Sequence, residues 1–125
     1  MEKRTGGGAM LVEVVHSVEE FIGKIDPNSD VHYEIESRIV GPVGDIAYVK
    51  LTLYGIRKNS VVKCILIESA RWNDKEVRKH KTGNAIDDLK LWIQEKQKEL
   101  EKIAKKLEAT PGRYEILAWN VGYAV

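Results

Sequence analysis

Cysteine is almost absent from this 125-residue chain. Cys64 stands alone, so no disulfide framework can form within a monomer, and an intracellular, cytoplasmic setting is expected. Its surroundings, VVKCILIE, describe a buried small hydrophobe rather than a reactive thiol. Long apolar runs are missing too: nothing approaches the roughly 20 residues that a membrane helix needs, and MEKRTGGGAM lacks the apolar core of a signal peptide. The net charge is only +1, which speaks against a generally sticky polyelectrolyte surface. Catalytic and cofactor signatures are absent as well. There is no Walker loop, no GxGxxG, no Ser/His/Asp arrangement and no Cys/His cluster. Gly6, Gly7 and Gly8 do not follow a strand, and His16, His32 and His80 lack ligand spacing. The expectation is a protein without enzymatic activity, cofactor or metal. Abundant Lys and Glu beside two Gln and one Cys suit a thermophile.

What is present suits one α+β domain over residues 10–125, behind a flexible arm at 1–9. Met10 to His16 is a short apolar strand. Ser17 and Glu20 form a capping box for a short helix whose Phe21, Ile22 and Ile25 face inward, and Asp26-Pro27-Asn28 ends it. Three strands follow. Tyr33, Ile35, Ser37 and Ile39 alternate with Glu34, Glu36 and Arg38, the period of a half-buried strand. Gly41-Pro42-Val43-Gly44 turns the chain into Ile46–Gly55, and Lys58-Asn59 turns it into Val61–Ala70.

A two-residue hairpin at Lys58-Asn59 pairs residues whose numbers sum to 117. One face then holds Ala47, Val49, Leu51 and Leu53 beside Val62, Cys64, Leu66 and Ala70, interrupted only by Glu68. That is the core face. The opposite face is mixed, with Ile46, Tyr48, Lys50, Thr52 and Tyr54 beside Lys63, Ile65, Ile67 and Arg71. A three-residue first turn with left-handed Gly44 adds Glu34, Glu36 and Arg38 to the mixed face, with the two glutamates as partners for Lys50 and Arg38. A slip of one residue would invert both faces.

Residues 84–109 read as one helix, capped by Asn84, with Asp87 and Asp88 in its first turn and Thr110-Pro111-Gly112 as its stop. At 1.5 Å per residue it would be about 38 Å long, more than the width of a domain this size. Ile86, Leu89, Ile93, Leu100, Ile103 and Leu107 form a heptad seam broken at Lys96, and Leu89, Ile93, Leu100, Ile103 and Leu107 are the candidate oligomerisation surface. A last strand, Arg113–Trp119, and a docked apolar tail, Val121–Val125, complete the expectation. Trp92 and Trp119 are assigned to the core. The fold expected is an antiparallel sheet of four or five strands, with the short and the long helix packed on one face and the long helix assembling a homo-oligomer, dimer or tetramer.

The most informative stretch is RWNDKEVRKHKTG, residues 71–83, which joins sheet to long helix. Arg71, Lys75, Arg78, Lys79 and Lys81 oppose only Asp74 and Glu76, a net of +3 in a chain of +1. Headed by Trp72, it meets the mixed face at Arg71. Together they interleave Trp72, Tyr48 and Tyr54 with Arg38, Lys50, Lys63, Arg71, Arg78, Lys79 and Lys81. Bases stack on aromatic rings while Lys and Arg follow phosphates, so this is the material of a single-stranded nucleic acid site. The same residues also fit ordinary cross-strand packing and a solvated loop. A metal nuclease at Asp45 and Glu68 fails on geometry, because Glu68 belongs to the core face and Lys50 to the other.

VHYEIESRIV at 31–40, the strands DIAYVKLTLYGIR and SVVKCILIESARW, and the helix NAIDDLKLWIQEKQKELEKIAKKLEA resemble, in order and character, the ThermoDBP single-stranded DNA-binding family of hyperthermophilic archaea. The resemblance spans most of the chain from about residue 10. It implies ssDNA binding in an open cleft lined by apolar, aromatic and basic side chains, with assembly through the long helices. The function expected is non-enzymatic, largely sequence-independent binding of single-stranded DNA or RNA. The alternative is an oligomeric scaffold or protein-interaction module whose mixed sheet face is a subunit interface.

Overall fold

A computed structural model describes residues 11–41 and 46–112. In chain order the elements are β1 (Leu11–Val15), α1 (Val18–Lys24), β2 (His32–Val40), β3 (Ile46–Arg57), β4 (Ser60–Arg71), α2 (Lys75–Arg78), α3 (Ala85–Lys106) and β5 (Thr110–Pro111). The five strands form one sheet in the order β1-β4-β3-β2-β5. The fold is α+β, as expected, but the sheet is mixed rather than antiparallel. β1 runs parallel to β4, with Leu11 opposite Ser60 and Val15 opposite Cys64. β5 runs parallel to β2, with His32 opposite Thr110. Connectivity explains the difference. Tight turns reverse the chain, whereas a strand that reaches its partner through a helix arrives in the same direction. α1 brings the chain from β1 to β2, and α3 from β4 to β5, in the same direction; because β2 and β4 both run antiparallel to β3 between them, β1 is parallel to its neighbour β4 and β5 to its neighbour β2.

The hairpins of the middle three strands follow the expected pattern. Lys63 Nζ lies 5.7 Å from the centre of the Tyr54 ring, and those two numbers sum to 117. Lys50 pairs with Glu36 at 3.2 Å and Tyr54 bonds Glu34, which makes β2 and β3 antiparallel and puts both glutamates on the mixed face.

The chain divides into two compact units that share the strands β2, β3 and β4. The described part of the first is 11–34, 52–65 and 107–112. Here Ser17 caps α1, its Oγ accepting from the Glu20 backbone N–H at 3.1 Å. Phe21 is buried, but Ile22, assigned inward from the sequence, points to solvent, because seven residues give two turns and only one narrow inward stripe. β3 carries Gly55 where α1 comes closest: a Cβ there would stand 2.6 Å from Ile25 Cγ2 and 3.1 Å from Phe21 Cζ. Asp26 then ties α1 to the β3–β4 turn. Its backbone N–H donates to Ile56 O at 2.8 Å, and its Oδ2 accepts from the Lys58 N–H at 2.8 Å, holding Lys58 at φ 54°. Cys64 is buried, and desolvation, aided by the charge of Glu20, pushes its thiol up to about 11. Beyond α3, the Thr110 N–H donates to Val31 O at 2.9 Å and the Gly112 N–H to Tyr33 O at 3.0 Å. The expected helix stop is thus itself a two-residue strand.

The second unit is 35–51 and 66–106. Its core is Ala47, Val49, Leu51, Ala70, Val77, Leu89, Trp92, Leu100 and Ala104. α3 is shorter than the periodicity suggests. Asn84 is the residue before it and accepts from the Asp87 N–H at 3.1 Å, and residues 107 and 108 already form a turn with Glu108 at φ 54°. Gln97 Nε2 donates to Ser37 Oγ at 3.1 Å, which lays α3 on the Ser37 face of β2. Lys96, which breaks the apolar seam, has its partner on its own helix. Burial acts to lower the Lys96 pKa, but Glu99, 3.4 Å away, with Glu76 and Glu68, holds it above the usual lysine value. The expected arm at 1–9, Met10, Pro42 to Asp45, the strand Arg113–Trp119 with its tryptophan, and the tail Val121–Val125 lie outside the described residues.

Candidate nucleic-acid interface

The basic connector is solvent-exposed along most of its length, but it is folded rather than irregular. Its first turn is closed at both ends: the Arg71 N–H donates to Asp74 Oδ2 at 2.8 Å, and the Asp74 N–H returns to Arg71 O at 3.1 Å. Trp72 sits in that turn, 47% exposed. One helical turn, α2, follows and plants Val77, fully buried, against α3. Three polar ties fasten the rest to α3. Trp92 Nε1 donates to Glu76 Oε2 at 3.3 Å. Glu95 receives Lys79 at 3.1 Å and His80 Nε2 at 2.9 Å, Lys79 first and His80 second holding its carboxyl below the usual range. Thr82 donates its hydroxyl to Asp88 Oδ1 at 2.7 Å and its N–H to the same oxygen at 2.9 Å, and these bonds depress the Asp88 pKa. Val77 was detectable in the sequence as the one apolar residue inside KEVRK; Glu95, sixteen residues after Lys79, was not.

The tethering sorts the basic residues. Lys79 already serves Glu95. Arg71, Lys75, Arg78 and Lys81 are exposed, with Lys81 held at φ 52°. Within the same unit, the sheet face away from Ser37 carries Arg38, exposed; Tyr48, half-buried; Lys50, paired with Glu36; and Ile67, 58% exposed. Arg38, Tyr48, Lys50, Arg71, Trp72, Arg78, Lys79 and Lys81 all belong to this second unit.

Two nominated residues do not. Tyr54 and Lys63 belong to the first unit, where the mixed face is sealed: Thr52, Tyr54 and Val61 are all buried. Tyr54 donates its hydroxyl to Glu34 Oε1 at 2.8 Å and lies beneath Lys63. Its ring is buried, only 1% of the residue being exposed. The strand alternation that placed it on this face carries no information about what covers the face.

The seam of α3 is also largely turned inward. Leu89 and Leu100 are buried within the chain itself, Ile93 and Ile103 are half-buried, and Leu107 follows the helix end in the first unit. There Leu107 lines a cleft of about 340 Å³ with Ser29, Asp30, Val31, His32, Glu108 and Thr110. Amphipathic periodicity reports that a helix has an apolar stripe, and here the stripe faces its own unit. Glu68 is exposed, and among the described residues no three His, Cys, Asp or Glu side chains gather as a metal site. No helix among them is long and apolar enough to cross a membrane.

Compared with known protein families, curated proteins and solved structures, the chain has no significant match.

Proposed function

We propose that the chain binds single-stranded nucleic acid, DNA or RNA, without enzymatic action and largely without regard to sequence, on the second unit. The observation that carries this reading is one uncovered sheet face on which Tyr48 and Ile67 lie among Arg38, Lys50 and Arg71, with exposed Trp72 following directly. An exposed isoleucine and tryptophan among cations suit stacked bases with phosphates at the margin. Arg78 and Lys81 add charge along a connector that is already ordered by Val77, Glu95 and Asp88. A preordered rim loses little entropy on binding.

Trp72 supplies the assay in a Trp119→Phe background, since it is exposed whereas Trp92 is buried. Titration with poly-dT should quench tryptophan fluorescence, weaken as salt rises, and lose most of its amplitude in Trp72→Ala. Arg38→Glu should reduce both affinity and salt slope, because each lost phosphate contact releases fewer counterions. Binding that ignores salt, or that survives both substitutions, would remove the assignment. The competing reading makes this face a subunit interface. It predicts a tight oligomer that Ile67→Lys dissociates and that oligonucleotides leave unshifted.

A further inference from the structure

The strongest unexplained surface lies in the first unit, on β1. Among the described residues β1 is an outer strand of the sheet, with β4 as its neighbour. Natural edge strands are guarded by charged side chains, above all lysine, by proline, bulges, shortness or a covering element. The sequence of β1, LVEVV, has no lysine or proline, and its one charge is Glu13. It is also unusually apolar outside: Leu11 is 75% exposed, Val12 and Val14 are about half exposed, and Ile22 on α1 is 50% exposed. These are four of the seven large hydrophobic residues found exposed among the described residues, gathered within a dozen positions. The only charge in the strand is neutralised from within, since Glu13 pairs with Lys24 of α1, and that bond first of all holds the Glu13 carboxyl below its usual range.

We propose that β1 pairs antiparallel with β1 of a second copy of this chain, about a two-fold axis at Glu13. The strand is self-complementary in that register. Val12 of one copy faces Val14 of the other, and Leu11 faces Val15, so apolar meets apolar on both faces of the new ladder. The register serves whichever backbone groups point outward, because the axis passes through either kind of antiparallel residue pair. The two Glu13 carboxylates meet at the axis, each already carrying its own Lys24, which gives a cluster of alternating sign rather than a repulsive pair. A net charge of +1 per chain offers no long-range opposition. Five residues make a small interface, so the dimer is concentration-dependent rather than obligate. The proposal does not rest on nucleic-acid binding.

Sedimentation velocity on the full chain across a wide concentration range tests it. The expected result is a monomer–dimer equilibrium that Val12→Lys abolishes, with unchanged circular dichroism, since Val12 is exposed. Oxidation of an equal mixture of Val12→Cys and Val14→Cys chains should give disulfide-linked dimers faster than either chain alone, with buried Cys64 silent. A chain that stays monomeric at every concentration overturns the proposal, and binding only a foreign extended peptide counts as the same outcome. So does a dimer that survives Val12→Lys, or cross-linking no faster in the mixture, since either places the contact elsewhere.

Discussion

Tyr48 and Tyr54 lie on the same face of the same strand, yet they have opposite lives. Tyr54 is buried with Thr52 and Val61, its hydroxyl bonded to Glu34 and its ring beneath Lys63. Tyr48 is half-buried, with Lys50, Ile67 and Arg38 on an open face around it. The two residues are indistinguishable by alternation, by neighbours and by residue type. Burial of a tyrosine requires a partner for its hydroxyl, and Glu34 supplies it in the first unit. A face is therefore not one environment along its length, and half of a sheet can be core while its continuation is surface.

The sharpest ways to test that contrast begin with the cores of the two units. In the second, Trp92→Ala should cost about 3–5 kcal/mol, by cavity formation and by leaving Glu76 without its donor. The urea midpoint measures it, and a loss below about 1 kcal/mol would mean that α3 is not anchored there. In the first, Gly55→Ala should cost about 1–3 kcal/mol, because the new methyl collides with Ile25 and Phe21. A neutral result would show that α1 can retreat.

The tyrosines themselves come next. Tyr48→Ala should weaken oligonucleotide binding by about 1–3 kcal/mol, read by titration, with little effect on unfolding. Tyr54→Phe should do the reverse: affinity unchanged, and stability reduced by about 1–3 kcal/mol because Glu34 loses a donor. Equal effects of the two on binding would erase the distinction between open and sealed face. The smallest expected change is a gain. Gly23 lies in α1 with open space around it, so Gly23→Ala should stabilise by about 0.5–1 kcal/mol in the same urea experiment.

Much of this architecture was legible from residue pattern. The register of β3 with β4, the side of β2 that bears Glu34 and Glu36, the Ser17 and Asn84 caps and the burial of Trp92 all follow from short-range rules, and each was readable before any coordinate. What the pattern left open shares a cause. The parallel outer strands, the burial of Leu89 and Leu100, and the burial of Tyr54 depend on which distant segment arrives, and local periodicity is silent on that. Ile22 is a smaller case, since two turns of helix leave the width of the inward stripe undetermined. In the candidate site, the sequence identified the basic connector but not its rigidity, because the glutamate that holds Lys79 and His80 lies a helix away.

By itself, then, the sequence determined β1 to β4, α1 and α3, the Ser17 and Asn84 caps, the strand faces and the placement of a basic, tryptophan-led connector between sheet and helix. These rest on hydrogen bonding within a few residues and on side-chain period, which any stretch of chain carries with it. Only the tertiary structure decided that the helical links make the sheet mixed, that Tyr54 is buried and Tyr48 half-buried, that Val77 and Glu95 fasten the connector, and that β1 stands at the edge of the described sheet with Leu11, Val12 and Val14 exposed. Those outcomes depend on contacts between residues far apart in the chain, where burial by a neighbour, not local pattern, sets the environment of each side chain.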